Sequence, residues 1–206
     1  MTLNIAVILR EGAQRFGDKA ALVQGDTSWT YCELWSRAGR LSQALLDRGI
    51  VRGQHVALML PNVPHFTVAY FACHLAGLVV VPINVLLRAE EISYHLDDSD
   101  AVALISWHEF EQAAIGFAAA AACAHHIVAA AELFDEHIDG VEPRDDLPDT
   151  HADDVAVILY TSGTTGKPKG AQLTHFNMFY NADVAATLHG TVESTVALAV
   201  LPLFHS

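Results

Sequence analysis

The sequence predicts an α/β fold, a mostly parallel sheet covered by helices. Three observations lead there. Short apolar runs rich in β-branched residues alternate with longer segments of helical periodicity along most of the chain. These runs, such as Leu78-Val79-Val80-Val81, are apolar at successive positions, as strands buried on both faces are. Hydrophobic residues make up 52% of the 206-residue chain, with a mean hydropathy of +0.28, and a doubly covered sheet accounts for that richness.

Asn4 starts the first helix, which carries Ile5, Ile8, Leu9, Ala13 and Phe16 on one face and ends at Gly17. Residues 20–24 and 27–31 flank Gly25-Asp26, a two-residue hairpin signal. Thr30 and Glu33 form a capping-box pattern, opening a helix with Leu34, Ala38, Leu41 and Leu45 on one stripe that stops near Gly49. Strands are then expected at residues 55–60, 78–83, 101–106 and 126–130, and helices at 62–76, 89–96 and 107–123. After an acidic stretch come a strand at 154–160, a helix at 175–188 begun by Thr174 as N-cap, and a strand at 195–201. The organisation expected is a first α/β portion at 1–131, a solvated acidic connector at 132–153 and a final portion at 154–206.

Charge and composition exclude several functions. A formal net charge of −13 opposes binding to nucleic acid through its phosphates. Between residues 132 and 154 ten acidic side chains face one basic one, Arg144, so the local charge is −9. Those acids lack the order of a calcium loop, and with Pro143 and Pro148 they read as a solvated segment. The longest apolar stretch, 66–87, is interrupted by Thr67, His74, Gly77, Pro82 and Asn84, so no transmembrane helix is expected. No signal peptide is expected either, because Arg10 and Glu11 break the apolar run at 5–9. Three cysteines in helical patterns argue against a disulfide framework, and a reducing cytoplasm fits. Twelve histidines include no His-Glu-x-x-His, and no Cys-x-x-Cys occurs. Ser162 lacks the Gly-x-Ser-x-Gly setting of a hydrolase nucleophile.

The stretch that carries chemistry is Thr161-Ser162-Gly163-Thr164-Thr165-Gly166-Lys167-Pro168-Lys169-Gly170. Two of the chain's three lysines stand in it. A buried strand running into a Gly/Ser/Thr loop aims backbone N–H groups and hydroxyls at one point, and glycine permits close backbone approach. With lysine charge added, the arrangement suits a polyphosphate. It is not a Walker A loop: Gly163 and Gly166 enclose only two residues, and Pro168 follows Lys167 where a magnesium-binding hydroxyl belongs.

Residues 160–170 resemble the phosphate loop of the adenylate-forming (AMP-binding) superfamily, most like that of a fatty-acyl-CoA synthetase. Weaker likenesses follow the family's order: Leu60-Pro61-Asn62, Val81-Pro82-Ile83-Asn84-Val85-Leu86-Leu87, Gly170 to His175, and Leu201-Pro202-Leu203-Phe204-His205-Ser206. The resemblance implies an incomplete N-terminal domain. The family's adenine-binding and ribose-binding motifs do not appear in these residues, and its catalytic Lys is expected in a C-terminal domain outside them.

The activity implied is acid–thiol ligation with ATP, Mg2+ and coenzyme A, acting on a carboxylic and, from the 82–87 stretch, fatty acid. By the same resemblance Thr161, Ser162, Gly163, Thr164, Thr165, Gly166 and Lys169 hold the nucleotide, Thr165 contacts the metal, and His205 borders the acid. Lys169 is expected to outrank Lys167, read as a solvated loop-tip residue. A carrier-protein-loading adenylation domain shares this loop and stays open as an alternative. So does an inactive truncated fragment, for which aggregation through an open sheet edge is expected.

Overall fold

The structure, a computed structural model, describes residues 2–161 and 167–205. The chain opens with α1 (Val7–Phe16), the antiparallel hairpin β1 (Ala20–Gln24) and β2 (Thr27–Thr30), and α2 (Tyr31–Asp47). The expected capping box holds α2: the Thr30 hydroxyl accepts from the Glu33 N–H at 3.2 Å, and the Glu33 carboxylate accepts from the Thr30 N–H at 2.7 Å. Such a cap is worth about 1 kcal/mol.

Next come β3 (His55–Met59), α3 (Pro64–Leu75), β4 (Val79–Pro82), α4 (Ala89–Asp98), β5 (Ala101–Trp107), α5 (Glu111–Ala119), β6 (His125–Ala129) and α6 (Ala131–Ile138). The chain continues as β7 (Val155–Thr161), β8 (Lys169–Thr174) and α7 (His175–Leu188). The six-stranded sheet has the order β6-β5-β3-β4-β7-β8, parallel from β6 through β7, with β8 antiparallel to β7 at one edge. The expected mostly parallel sheet is the one observed.

Alternate side chains of the central strands serve two cores. Val56, Leu58 and Val80 join α2, α3 and α6 on one face. Ala57, Met59, Val79 and Val81 join α4 and α5 on the other. Each fully buried leucine among them contributes about 1.5–3 kcal/mol through removal from water.

Two expectations need correction. The acidic stretch is not a bare connector: it holds α6, whose Phe134 and Ile138 are buried in the core. It is drawn to α2 by Arg37, paired with Asp135, and by the Trp35 indole, which donates to Asp145 at 3.1 Å. Gly39 lets it lie close, since a Cβ there would stand 2.5 Å from the Arg144 carbonyl. The strand expected at 195–201 does not form. Val196, Leu198 and Val200 alternate as a strand would, but the segment lies exposed, and among the described residues no strand pairs with it.

Candidate functional site

The chain order turns back at β3. From β3 the chain moves one way to β4, and from β5, on the other side of β3, it moves the opposite way to β6, placing a switch point between β3 and β5 at the carboxyl ends of the parallel strands. The segments singled out in the sequence leave the sheet at that end: residues 60–62 after β3, 83–87 after β4, and the glycine-rich loop after β7.

The loop's two arms are the end of β7 and the start of β8, paired Tyr160 to Gly170 and Thr161 to Lys169. Thr161 and Lys169 are both exposed and stand opposite each other where the loop departs. The calls on Ser162, Gly163, Thr164, Thr165 and Gly166, the metal role of Thr165 included, lie outside the described residues. Gly170 is required by the ladder itself. A Cβ there would meet Ile158 Cγ2 at 2.7 Å and the Tyr160 ring at 3.4 Å. Lys167 is exposed, but its ammonium lies 5.5 Å over the Tyr94 ring and is not merely solvated.

His205 is exposed, and its backbone N–H donates to the Pro202 carbonyl at 3.0 Å. Its segment is tied to the sheet by Asn62, just past β3. The Asn62 amide donates to the Leu201 carbonyl at 2.8 Å, and its Oδ1 accepts from the Leu203 N–H at 2.8 Å. Two weakly family-like segments, 60–62 and 201–206, thus meet through one side chain. Asn84 shapes the turn after β4, its Oδ1 accepting from the Leu86 N–H at 2.9 Å. Residues 83–87 leave Leu86 exposed and Ile83 buried.

Sequence reasoning did not find Asp98, the last residue of α4. It accepts from the Tyr160 phenol at 2.7 Å through one carboxylate oxygen and from the Tyr94 phenol at 3.1 Å through the other. Burial first, then the bond to Asp98, raises the Tyr160 pKa, so this phenol stays a proton donor. No local pattern announces a contact 62 residues apart.

Electrostatically the described arms offer two lysines and the Thr161 hydroxyl. No cluster of three or more His, Cys, Asp or Glu side chains fit for a metal occurs among the described residues. Two cavities lie elsewhere. One of about 440 Å³ separates α2 from α6, lined by Arg37, Arg40 and Asp135 among others. The other, of about 470 Å³, sits at the amino ends of β3, β4 and β7, beside Arg52, His55 and His175.

Residues 9–206 match the family model of the AMP-binding enzymes. A feruloyl-CoA synthase of an Amycolatopsis species is 38% identical over 186 residues, which are 90% of this chain and 36% of that protein. A benzoate CoA ligase from Burkholderia xenovorans superposes with a TM-score of 0.89 at 31% identity, covering 98% of this chain and 40% of that one. ATP-bound MatB from Rhodopseudomonas palustris does so with a TM-score of 0.87 at 28% identity, covering 100% and 41%. The chain therefore spans about two fifths of the length of such relatives, and over that span it belongs to the AMP-binding enzyme family.

Proposed function

We propose that these residues form the triphosphate-binding part of an ATP-dependent acid–thiol ligase. The observation that carries this reading is the β7–β8 hairpin. It presents Thr161 and Lys169 side by side at the carboxyl edge of a parallel sheet, in a chain that belongs to the AMP-binding family. In the reaction a substrate carboxylate oxygen attacks the α-phosphorus of ATP, and the P–O bond to pyrophosphate breaks, giving an acyl-adenylate. The thiol sulfur of coenzyme A then attacks the acyl carbon; the C–O bond to AMP breaks and the thiol proton leaves.

Negative charge grows on the departing phosphates in the first step. Lys169, the hydroxyls of Thr161, Ser162, Thr164 and Thr165, and the loop N–H groups are assigned to meet it electrostatically. Magnesium bound with the triphosphate, with Thr165 as its contact, supplies further charge neutralisation. His205, held at the mouth of β3 by the Asn62 clamp, is assigned to the acid.

The narrower reading of the acid is fatty acyl, resting on residues 82–87. The similarity to a feruloyl-CoA synthase favours a second reading, an aryl acid. Three thiols without disulfide partners, one of them exposed, fit the expected cytoplasmic setting. The test is acid-dependent exchange of labelled pyrophosphate into ATP, followed by thioester formation with coenzyme A, using the protein at its native length. A panel of fatty and aryl acids is run in parallel. Exchange with at least one acid is expected, and no exchange with any carboxylate would remove the reading.

A further inference from the structure

The Asp98 carboxylate joins α4 to β7. Tyr160 lies on the arm entering the glycine-rich loop. Tyr94, on α4, shares its single phenolic proton between Asp98 and the Pro168 carbonyl on the leaving arm, both at 3.1 Å. Lys167, one residue before Pro168, lies over the Tyr94 ring. The Tyr160 ring packs 4.3 Å from the ring of His95, itself buried on α4.

A carboxylate at the C-terminal end of a helix faces the negative end of the helix dipole and is disfavoured there. Asp98 holds that place with both oxygens engaged by phenols, and a phenol–carboxylate bond of 2.7 Å is of the charge-assisted, strong kind. Without this link the open end of the β7–β8 ladder would rest on its own backbone bonds, at the edge of the sheet, with β8 largely exposed.

We propose that Asp98 is a positioning residue: through Tyr160 it anchors the entering arm of the glycine-rich loop to the end of α4 and so fixes where Thr161, and Lys169 paired with it across the ladder, present their groups. The role rests on the nucleotide reading above but is separable from it. Asp98 acts through the Tyr160 phenol, not as a phosphate ligand. The anchor also gives Lys167 a reason to stand beside the loop without serving the nucleotide, since its charge is placed over an aromatic face.

The experiment compares the wild-type protein at its native length with its Asp98→Ala, Asp98→Asn and Tyr160→Phe variants by amide hydrogen exchange, and titrates each with MgATP. Loss of the anchor is expected to speed exchange at Thr161, Lys169 and Gly170 by about tenfold while Val56, Ala57 and Leu58 keep their protection, as local opening does. MgATP affinity should fall by roughly fivefold in Asp98→Ala and Tyr160→Phe, and less in Asp98→Asn, whose amide oxygen still accepts from one phenol. Unchanged exchange in both Asp98→Ala and Tyr160→Phe would overturn the anchor. Faster exchange with undiminished MgATP affinity would make the contact structural only and overturn the positioning role. A wild type that binds no MgATP would overturn the nucleotide reading and the positioning role together, a result distinguishable from failure of the anchor because the exchange rates read it separately.

Discussion

The parallel strands β3 and β4 and the stretch from β8 onward are built in opposite ways. In β3 every residue but His55 is buried, and in β4 all four are. In β8 four of six residues are exposed, and α7 buries only His175. Beyond α7, Val196, Leu198 and Leu201 are 94%, 86% and 77% exposed, and only near the end does an apolar side chain, Phe204, pack against the core. The first region holds the fold together, and the second presents groups. The glycine-rich loop leads into the second region, where side-chain ties supplement the packing: Tyr94 to the Pro168 carbonyl, and Asn62 to Leu201 and Leu203.

The largest effect expected from this contrast is on stability. Leu58→Ala, within the buried sheet, should cost about 2–5 kcal/mol, while Leu198→Ala should stay within about 0.5 kcal/mol. Urea unfolding of the two variants reads the difference, and similar losses would show that the segment after α7 is packed in solution. Close behind is a difference in chemistry. In the native-length protein, Lys169→Ala should slow adenylation by about 3 kcal/mol of transition-state stabilisation, far more than Lys167→Ala. Pyrophosphate exchange rates decide it, and equal small effects would remove Lys169 from the loop's charge set.

A smaller effect should appear with pH, and it sharpens the boundary between the two regions. His74 of α3 is fully buried with neither ring nitrogen hydrogen-bonded, packed edge-on against Tyr70 at 4.6 Å and His175 of α7 at 5.5 Å. Burial, and then the neighbouring His175, hold its pKa well below the ordinary 6.5. Cys73 beside it in the chain is also buried, and Asp154 and Arg52 face His175 with opposite effects.

Folded His74 stays neutral where the unfolded chain takes up a proton. Stability is therefore unaffected well above pH 6.5 and falls as pH drops below it, by up to about 1.4 kcal/mol per pH unit for this group. His74→Phe should flatten that acid slope in unfolding experiments, since replacing an unsatisfied buried polar group with an apolar one is tolerated. An unchanged slope would place the acid sensitivity in other histidines, of which His65, His126 and His175 are also shifted down by burial.

Much of the fold was legible because its signals are local. The Thr30 and Thr174 caps, the Gly25-Asp26 turn and the apolar strands each declare themselves within a few residues. The segment at 195–201 was misread because alternation records side-chain preference, while a strand also needs a neighbour to take its backbone bonds. Helix α6 was hidden because ten acids dominate its surroundings, although Phe134 and Ile138 stand four apart on one face. At the candidate site the loop was legible as composition. Its supports were not, because Asp98 and Asn62 reach partners 62 and 139 residues away.

The most direct test of the account is to map where MgATP perturbs the backbone amide resonances of this chain. The carboxyl edge of the sheet is predicted to respond, with the largest shifts at Thr161, Lys169 and Gly170 and smaller ones at Lys167, Tyr94 and Asp98. Shifts gathered instead at Arg52, His55 and His175, around the cavity at the amino ends of the strands, or no saturable shifts at all, would contradict it.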